Sequence, residues 1–457
     1  MRISLRSIRP LVATFILAAV IGLAGCADSM IGHEDTAQVD SPLYSKLRHA
    51  HLLGSSDEAG KLMARYEELI THTEFVLGVV DTVLRINRVV ARYENHPTLS
   101  VKVKRKFKKS VKAIAVHVHP DDVAEFLKEV DADDDIAWAE PDPKIKGNTG
   151  RTDKNMGKGQ DMPANLELIG LGKGKAKDKF EFKNVEIYIL DTGVDNDDLN
   201  IVETRDFVAD TTGDSSLEDF GLGILSDDAR DADGHGTHIA GIAAAIDDDD
   251  GLIGVAAGAP IHDFRVLDEN GEADFSTVIA AVELITKRKL DDPSTPIVVN
   301  ISFGADVGTS AYNGLDEAIE ASIDAGVVYV IAAGNDDVDA AHVTPAHVAE
   351  AITVGSVNKK KRFSSFSNYG SLIDIFAPGE DIESLSPDHN KILIMTGTSM
   401  AAPHVTGAAA LYLEFNPKDS PEEVRDELVD MGEKAVKKAP GGTTKIMLSL
   451  LKLLKDM

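Results

Sequence analysis

The stretch "VEIYILDTGV", Val185–Val194, decides the fold class. Its first six residues are apolar except for Glu186, and the run ends at Asp191 and a Thr-Gly pair. A short apolar run that stops at turn residues is typical of a strand buried on both faces of a sheet. Two later runs have the same form: "PIVVNISF" leads to Gly304, and "GVVYVIAA" leads to Gly334.

Helical patterns separate these runs. "STVIAAVELITKR" begins at Ser276, and "YNGLDEAIEASIDAG" ends at Gly326. Strands that alternate with helices predict an α/β domain, doubly wound, with a mostly parallel sheet and helices on both faces. In such sheets ligands bind outside the carboxyl ends of the strands, so we expect a functional site where these apolar runs end.

Three polar residues in distinctive contexts suggest what that site does. Asp191 follows the first run, His235 stands in the glycine-rich turn of "DADGHGTHIAG", and Ser399 stands in "TGTSMAAPHVTGAAAL". A serine hydroxyl needs a base to become a nucleophile, imidazole suits that role, and a carboxylate fixes the imidazole tautomer. The chain order Asp, His, Ser is one of the known arrangements of such a triad. Taken singly, each has a structural alternative: a turn cap, a buried histidine, and a helix N-cap.

These segments resemble the active-site signatures of the subtilisin-like serine proteases, the subtilase family (peptidase family S8). The motifs concerned are "DTGV", "GHGTHIAG" and "GTSMAAPHVTGAAAL", and the similarity runs from about Gln160 to Leu448. The resemblance implies a serine endopeptidase with Asp191, His235 and Ser399 as its triad. The two other histidines of these segments, His238 and His404, are interpreted as packing residues on their helices.

Further residues acquire roles by the same resemblance. "AAGN" at Ala332–Asn335 resembles the oxyanion segment, so Asn335 would donate to the developing oxyanion beside the Ser399 backbone N–H. "SFG" at Ser302–Gly304 resembles the strand that pairs with substrate backbone. The resemblance therefore implies these substrate-binding residues: Ser302, Phe303, Gly304, Ala332, Ala333 and Gly334.

A structural calcium ion is also implied, with no catalytic metal. "DDDDGLIGVA", which begins at Asp247, resembles the family's calcium loop, and the acidic run is otherwise interpreted as a solvated loop. Carboxylate, carbonyl and amide oxygens are the ligands that Ca²⁺ takes. The implied side-chain ligands are Gln160, Asp198 and Asp248. The segment before Asp198 is shorter than in the best-known members of the family.

The N-terminus has the order of an export signal. Three arginines precede an apolar stretch and "LAGC" at Leu23–Cys26, which resembles the lipobox of bacterial lipoproteins. We therefore expect a signal peptide over 1–26 with lipidation at Cys26, followed by a polar tether over 27–70. The protein would be exported and anchored to a membrane, facing the periplasm or the cell exterior. A plain signal peptide is the alternative.

Residues 71–146 combine helical and strand patterns and predict a small α+β domain. Its sequence resembles the inhibitor-like, ferredoxin-like propeptide of the subtilases, and a permanent N-terminal domain is the alternative. A Gly/Lys/Asn-rich linker over 147–159 would contain the processing region, with cleavage expected within Lys144–Gln160. The subtilisin-like catalytic domain is then predicted over 160–448, with a C-terminal tail over 449–457.

Charge limits the choice of partners. The formal net charge of −29 argues against nucleic acid, whose phosphates would be repelled. The expected partners are protein or peptide substrates, the chain's own propeptide as inhibitor, and a membrane through Cys26; a monomer is expected. Release of the catalytic domain on maturation stays open. The competing interpretations are a catalytically inactive surface binding or scaffold protein on a subtilisin fold, and an esterase.

Overall fold

Two units of different architecture follow one another in the chain. A computed structural model describes residues 72–80, 83–147, 150–156, 162–171, 182–209, 223–225, 230–248, 251–308 and 313–456. We refer to residues 72–141 as the N-terminal unit and to residues 162–456 as the C-terminal unit. The predicted signal peptide, Cys26, the tether and Gln160 lie outside the described residues.

The N-terminal unit is an antiparallel sheet with two helices. Its strands lie in the order β2-β3-β1-β4, as in a ferredoxin-like fold. Its core contains three aromatic rings: the centroid of Phe126 lies 5.4 Å from that of Tyr93 and 5.5 Å from that of Phe75. This agrees with the small α+β domain expected from the sequence. The elements, in chain order, are β1 (Glu74–Val79), α1 (Val83–Glu94), β2 (Val101–Phe107), β3 (Ala113–Val118), α2 (Val123–Ala132) and β4 (Ile136–Pro141).

Two strands connect the units, and many more elements build the C-terminal unit. The connecting strands are β5 (Lys144–Lys146) and β6 (Gly150–Asn155). The helices that follow are α3 (Ala164–Leu168), α4 (His235–Ala244), α5 (Phe275–Asp291), α6 (Gly314–Asp324), α7 (Thr398–Phe415), α8 (Pro421–Met431) and α9 (Leu453–Asp456). The strands are β7 (Glu186–Asp191), β8 (Ile201–Asp206), β9 (Ile224–Leu225), β10 (Ile261–Arg265), β11 (Glu272–Asp274), β12 (Ile297–Ile301), β13 (Ala305–Asp306), β14 (Val328–Ala332), β15 (Val343–Thr344), β16 (Ile352–Val357), β17 (Ile375–Pro378), β18 (Ile382–Leu385), β19 (Lys391–Thr396), β20 (Glu433–Lys434) and β21 (Ile446–Met447).

The central sheet confirms the predicted fold class. Its order is β20-β21-β17-β16-β14-β12-β7-β10-β8-β9, and all pairs from β21 to β8 are parallel. Successive residues of β7 point to opposite faces: Ile187 packs in the cluster with α4 and α7, and Tyr188 packs in the cluster with α5 and α6. Burial of both faces explains the continuous apolar runs of the sequence.

Two segments are more ordered than the sequence predicted. The linker over 147–159 contains strand β6, whose residues 151–155 are exposed. A strand with both faces solvated needs no apolar periodicity, so the pattern could not reveal it. The tail over 449–457 buries Leu450 and Leu453 against the C-terminal unit, and Leu450 N donates to the Ile169 carbonyl. Within the described part of the chain, helices fall short of the length and apolarity needed to span a bilayer.

Candidate active site

The three candidate residues Asp191, His235 and Ser399 lie at one edge of the central sheet. Asp191 is the last residue of β7, His235 is the first residue of α4, and Ser399 is the second residue of α7. Helices α4 and α7 pack against each other on the same face of the sheet. The carboxyl ends of the parallel strands thus bring together residues that are far apart in sequence, as the fold class predicted.

Asp191 and His235 form a buried hydrogen-bonded pair. The distance from His235 Nδ1 to Asp191 Oδ1 is 2.7 Å, and the two residues are 3% and 0% exposed. Burial by itself lowers the pKa of the imidazole, but the Asp191 carboxylate offsets this and holds the pKa of His235 above its usual value. The Thr192 backbone N–H also donates to Asp191 Oδ1, at 2.8 Å, and so fixes the carboxylate.

Asp231 organises the start of α4, a role that sequence reasoning missed. Its Oδ1 accepts from Gly234 N at 2.7 Å and from the Thr192 hydroxyl at 2.8 Å, and its Oδ2 accepts from Thr237 N at 2.8 Å. Backbone N–H groups in the first turn of a helix have no partner within the helix, and a carboxylate satisfies them. The signal available in the sequence was an aspartate shortly before a predicted helix.

Two glycines flank His235 for steric reasons. Gly234 has a φ of 95°, a left-handed conformation that glycine adopts readily. A Cβ atom on residue 236 would lie 2.1 Å from the Gly193 carbonyl oxygen. The "GHG" sequence therefore allows the imidazole to lie directly against the end of β7.

The other two histidines of the motifs are buried in the helix packing. His238 Nε2 contacts the Ile382 carbonyl at 3.0 Å, and burial lowers its pKa to about 3. His404 Nδ1 contacts the Met400 carbonyl at 2.8 Å, and burial lowers its pKa to about 4. Both observations agree with the interpretation of these residues as packing residues.

Ser399 is not the cap of its helix. The N-cap of α7 is Gly397, which has no side-chain cap, and the Ser399 hydroxyl donates to the Ser302 carbonyl at 2.9 Å. A capping hydroxyl would instead accept from a backbone N–H. The hydroxyl does not contact His235 in this arrangement: His235 Nε2 has no hydrogen-bond partner among the described residues.

Pro403 explains a second bond between the same two serines. In an α-helix the N–H of residue 403 would donate to the carbonyl of residue 399, but proline has no N–H. The Ser399 carbonyl accepts instead from the Ser302 hydroxyl, at 3.0 Å. The proline inside α7 therefore ties the start of this helix to the segment that follows β12.

Asn335 presents its amide beside Ser399. Its Oδ1 accepts from Thr398 N at 2.8 Å and from the Thr398 hydroxyl at 2.9 Å. Since the oxygen end of the amide is fixed on Thr398, the NH₂ end faces away from that residue. Asn335 and Ser399 line the same cavity of about 60 Å³.

Most of the predicted substrate-binding residues line this cavity. They are Ser302, Phe303, Gly304, Ala332 and Gly334. Ala333 is an exception: it is fully buried in the core, and its carbonyl accepts from Asn368 Nδ2 at 2.8 Å. Successive residues alternate in direction along an extended chain, so Ala332 and Gly334 face the cavity while Ala333 does not. Two exposed acidic residues that sequence reasoning missed, Asp306 and Asp336, also line it.

The connecting segment lies along the same edge. Strand β5 pairs antiparallel with β11, and the backbone N–H and C=O groups of Lys146 bond those of Gly304 at 3.3 Å. Gly147 N donates to the Gly271 carbonyl at 3.0 Å, and a Cβ atom on residue 147 would lie 3.9 Å from His235 Cε1. An extended stretch of the chain itself thus reaches the candidate residues.

Carboxylates join the two units at their boundary. From the N-terminal side, Glu140 accepts from Gly314 N, at the start of α6, and Asp142 accepts from Ser276 N, at the start of α5, both at 2.8 Å. From the C-terminal side, Glu283 accepts from Ser110 N at 2.6 Å. Burial, together with the nearby Asp274 carboxylate, raises the pKa of Asp142 to about 6.

Two of the three predicted calcium ligands lie in neighbouring loops. Asp198 Oδ2 accepts from Leu252 N at 3.4 Å, in the loop that follows Asp248. The same oxygen lies 2.4 Å from where a Cβ atom on residue 251 would stand, so the Asp198 carboxylate occupies the space beside Gly251. Among the described residues, no three His, Cys, Asp or Glu side chains converge closely enough to hold one metal ion.

Comparison with known proteins gives the family. A profile of the subtilase family matches residues 183–443. Extracellular serine proteinase of Thermus sp. (strain Rt41A) is 44% identical over 44% of this chain and 46% of that protein. Alkaline serine exoprotease A of Vibrio alginolyticus is 32% identical over 77% of this chain and 61% of that protein, and Subtilisin DY of Bacillus licheniformis is 34% identical over 59% and 90%.

The comparison with solved structures agrees with this result. The crystal structure of a cold adapted subtilisin-like serine proteinase has a TM-score of 0.50 and 35% identity, and the match covers 59% of this chain and 90% of that one. The chain spans about half of the Thermus relative and less than two thirds of the Vibrio relative. The profile match extends over more than half of the chain, from the strand before Asp191 to beyond Ser399. By this match, the chain belongs to the subtilase family, whose members are serine endopeptidases.

Proposed function

We propose that the protein is a serine endopeptidase that hydrolyses protein substrates through an acyl-enzyme formed on Ser399. The observation that carries the proposal is the buried 2.7 Å contact between Asp191 and His235, at the sheet edge where α7 presents Ser399. A histidine paired in this way can accept a proton through its other nitrogen. His235 Nε2 has no hydrogen-bond partner among the described residues.

The catalytic steps follow from these positions. Rotation of the Ser399 side chain to another staggered rotamer releases its hydroxyl from the Ser302 carbonyl. His235 then removes the hydroxyl proton as the oxygen attacks the scissile carbonyl, and Asp191 stabilises the imidazolium that forms. The same imidazolium returns the proton to the leaving amine. Water hydrolyses the acyl-enzyme by the reverse sequence.

Stabilisation of the oxyanion is assigned to two N–H donors. One is the backbone N–H of Ser399, and the other is the NH₂ group of Asn335, whose amide oxygen is held by Thr398. Donors fixed before the reaction do not have to reorganise when charge develops on the substrate oxygen.

The first substrate is proposed to be the chain itself. Strand β5 pairs with the edge at Gly304, and the chain pairs again at Gly150, opposite Thr396, just before α7. The nucleophile begins α7, so the bond to be cut falls between these two pairings. Gly147 N is already bonded to the Gly271 carbonyl, so three bonds remain before Gly150, and we propose the middle one, Asn148–Thr149, within the Lys144–Gln160 interval expected from the sequence. The N-terminal unit is then the propeptide, with β5 as the product that blocks the cleft.

N-terminal sequencing of purified precursor tests both parts of the proposal. The unmutated chain should yield a new N-terminus at Thr149 and hydrolyse peptides, whereas Ser399→Ala should stay intact and inactive. Ser294→Ala, which changes an exposed serine, is the control and should behave like the unmutated chain. Equal processing of purified Ser399→Ala would show that another protease matures the protein. Absence of hydrolysis by the processed, unmutated form would favour an inactive scaffold.

The precursor is also proposed to be exported and anchored to a membrane by a lipid on Cys26. The support is the "LAGC" sequence after a basic and apolar leader, and the extracellular relative from Thermus supports export. Cys26→Ser should move the precursor from the membrane fraction to the soluble fraction. Unchanged membrane association of this variant would refute the anchor.

A calcium ion is proposed to stabilise the C-terminal unit. Asp198 lies against the loop that follows Asp248, and both side chains offer the hard oxygen atoms that Ca²⁺ prefers. The proposed ligands are these two carboxylates, the amide oxygen of Gln160 and loop carbonyls. A set with only two carboxylates does not require the larger acidic cluster that the described residues lack.

A further inference from the structure

Strand β6 occupies the side of the cleft opposite to β5. It pairs antiparallel with β19 over six positions, from Gly150 opposite Thr396 to Asn155 opposite Lys391. Met156 N adds a further bond to the Asn390 carbonyl, at 2.9 Å. Strand β19 leads directly into Gly397 and the nucleophile helix α7, so this ladder extends away from Ser399 along the leaving-group side of the proposed scissile bond.

The side chains of β6 pair with opposite charges on the C-terminal unit. Arg151 Nη1 lies 3.2 Å from Asp233 Oδ2 and also contacts the Asp233 carbonyl oxygen. Asp153 lies 3.1 Å from Lys391, and Lys154 lies 2.6 Å from Glu383. In the order of β6, the partner charges are therefore acid, base, acid. These ion pairs favour the register that β6 adopts.

The contact has the character of a reversible one. Residues 151–155 are all exposed, and the partners of their ion pairs are partly exposed. Exposed ion pairs each contribute little, about 0–1 kcal/mol. Main-chain pairing along an open strand edge supplies the rest, and such pairing accepts many sequences.

We propose that the outer edge of β19 is an extended binding site for polypeptide substrates. It would hold the second to seventh residues after the scissile bond as an added antiparallel strand, with a preference for a basic third, an acidic fifth and a basic sixth residue. This rests on the proposed protease function and on cleavage at Asn148–Thr149. Strand β6 is the first occupant, and it leaves the edge after self-cleavage frees its N-terminal end.

Internally quenched peptides of different length test the site. They share one acyl side and carry either two or seven residues after the scissile bond, the longer ending in the sequence of 149–155. Since each ladder hydrogen bond contributes ~0.5–1.5 kcal/mol, the longer peptide should have a kcat/KM at least about tenfold higher. Prolines at its fourth and fifth positions should reduce the gain, because hydrogen-bonded positions alternate along an antiparallel strand and one of the two must lose its N–H.

Equal kcat/KM values for the two lengths would overturn the proposal. A peptide anilide without residues after the scissile bond separates this result from failure of the proposed function. If the anilide is cleaved, the protease stands whatever the length series shows. If neither the anilide nor the peptides are cleaved, both proposals are refuted.

Neutralisation of Asp233 tests the register of the bound strand. In the unmutated enzyme, arginine at the third leaving-side position should be preferred over alanine by a few-fold, and Asp233→Asn should remove that preference. The ratio of the two peptides is compared within each enzyme, because Asp233 also acts on the pKa of His235. Glu350→Gln is the matched control: this exposed acid precedes β16, at the opposite edge of the parallel sheet. An unchanged ratio in Asp233→Asn would refute the register.

Discussion

Two regions of the molecule use a carboxylate for the same task. Asp231 accepts backbone N–H groups in the first turn of α4, and Asp142 accepts one in the first turn of α5. Asp231 comes from the loop that leads into its own helix, whereas Asp142 belongs to the segment that follows the N-terminal unit. The first carboxylate cannot leave without unfolding the site. The second is removed whenever the N-terminal unit dissociates.

This difference separates a permanent framework from a dissociable contact. In the framework, Asp191, His235 and Asp231 are buried and bonded within the C-terminal unit. At the boundary, Glu140 and Glu283 bond backbone groups of the opposite unit, and Asp142, from the connecting segment, bonds the C-terminal unit. Dissociation returns these carboxylates to water, where they are well solvated. Opening the boundary therefore costs less free energy than breaking the framework would. An inhibitor that must later be released needs a boundary of the second kind.

The framework should be highly sensitive to substitution of Asp191. Replacement by asparagine keeps the shape of the side chain but removes the charge that fixes the His235 tautomer and stabilises its cation. We expect kcat to fall by about 10⁴, the loss typical of this change in a Ser-His-Asp triad. Steady-state hydrolysis of a peptide anilide measures it, with circular dichroism as the control for folding. A loss of less than about tenfold would remove Asp191 from the mechanism.

The pH dependence of kcat/KM is a second test of the Asp191–His235 pair. His235 must be neutral to act as a base, so kcat/KM should fall as the pH falls through its pKa. Because Asp191 raises that pKa, the acid limb should lie above the usual histidine value of about 6.5. An acid limb well below 6.5 would mean that the carboxylate does not act on the imidazole.

Asn335 should give the next largest effect. Asn335→Ala removes one oxyanion donor, and we expect kcat to fall by about 10²–10³ with little change in KM. Thr398→Ser keeps the hydroxyl that bonds the amide oxygen and serves as the matched control, with near-normal activity expected. If KM rises and kcat is unchanged, Asn335 binds the ground state instead.

Calcium should stabilise the C-terminal unit, and this effect should be smaller than those of the substitutions at Asp191 and Asn335. An ion that binds only the folded state adds ~2.7 kcal/mol at a hundredfold excess over its dissociation constant. Melting curves of the Ser399→Ala chain in calcium and in chelator, at fixed ionic strength with magnesium as the control, measure this stabilisation. Asp248→Ala should remove most of the difference. Coincident curves for the unmutated site would mean that it binds no calcium.

The boundary should respond to pH at Asp142. Its pKa in the folded chain, about 6, lies above the usual value for aspartate, so the folded state holds this proton more tightly than the unfolded chain. The contribution to stability is complete below about pH 4 and is lost as the pH rises through 6. In the Ser399→Ala chain, Asp142→Asn should therefore be neutral near pH 4 and should stabilise by about 3 kcal/mol at pH 7.

Chemical denaturation at the two pH values measures this prediction. Asp142 is chosen because it contacts Ser276 and none of the framework residues, so its substitution should leave Asp191, His235 and Asp231 unchanged. Equal stability of Asp142→Asn and its parent at pH 7 would mean that burial and Asp274 do not raise the pKa of Asp142.

The sequence predicted features that repeat along the chain or depend on a few fixed residues. Buried parallel strands left continuous apolar runs, and the positions of Asp191, His235 and Ser399 followed from where runs and glycine-rich turns lie. The partner of the Ser399 hydroxyl could not be predicted, because Ser302 comes close only in the folded chain. Strand β6 was missed because it is polar on both faces. Ala333 was assigned to the cavity because side-chain direction within "AAGN" is not visible in the letters.

Covalent labelling of Ser399 tests the central claim most directly. The purified, processed protein is treated with a fluorophosphonate, which reacts with a serine only when a base activates its hydroxyl and donors stabilise the oxyanion. Peptide mapping by mass spectrometry should find a single adduct on Ser399, and Asp191→Asn should slow its formation sharply. A folded, processed protein that acquires no adduct on Ser399 would contradict the assignment of this residue as the nucleophile.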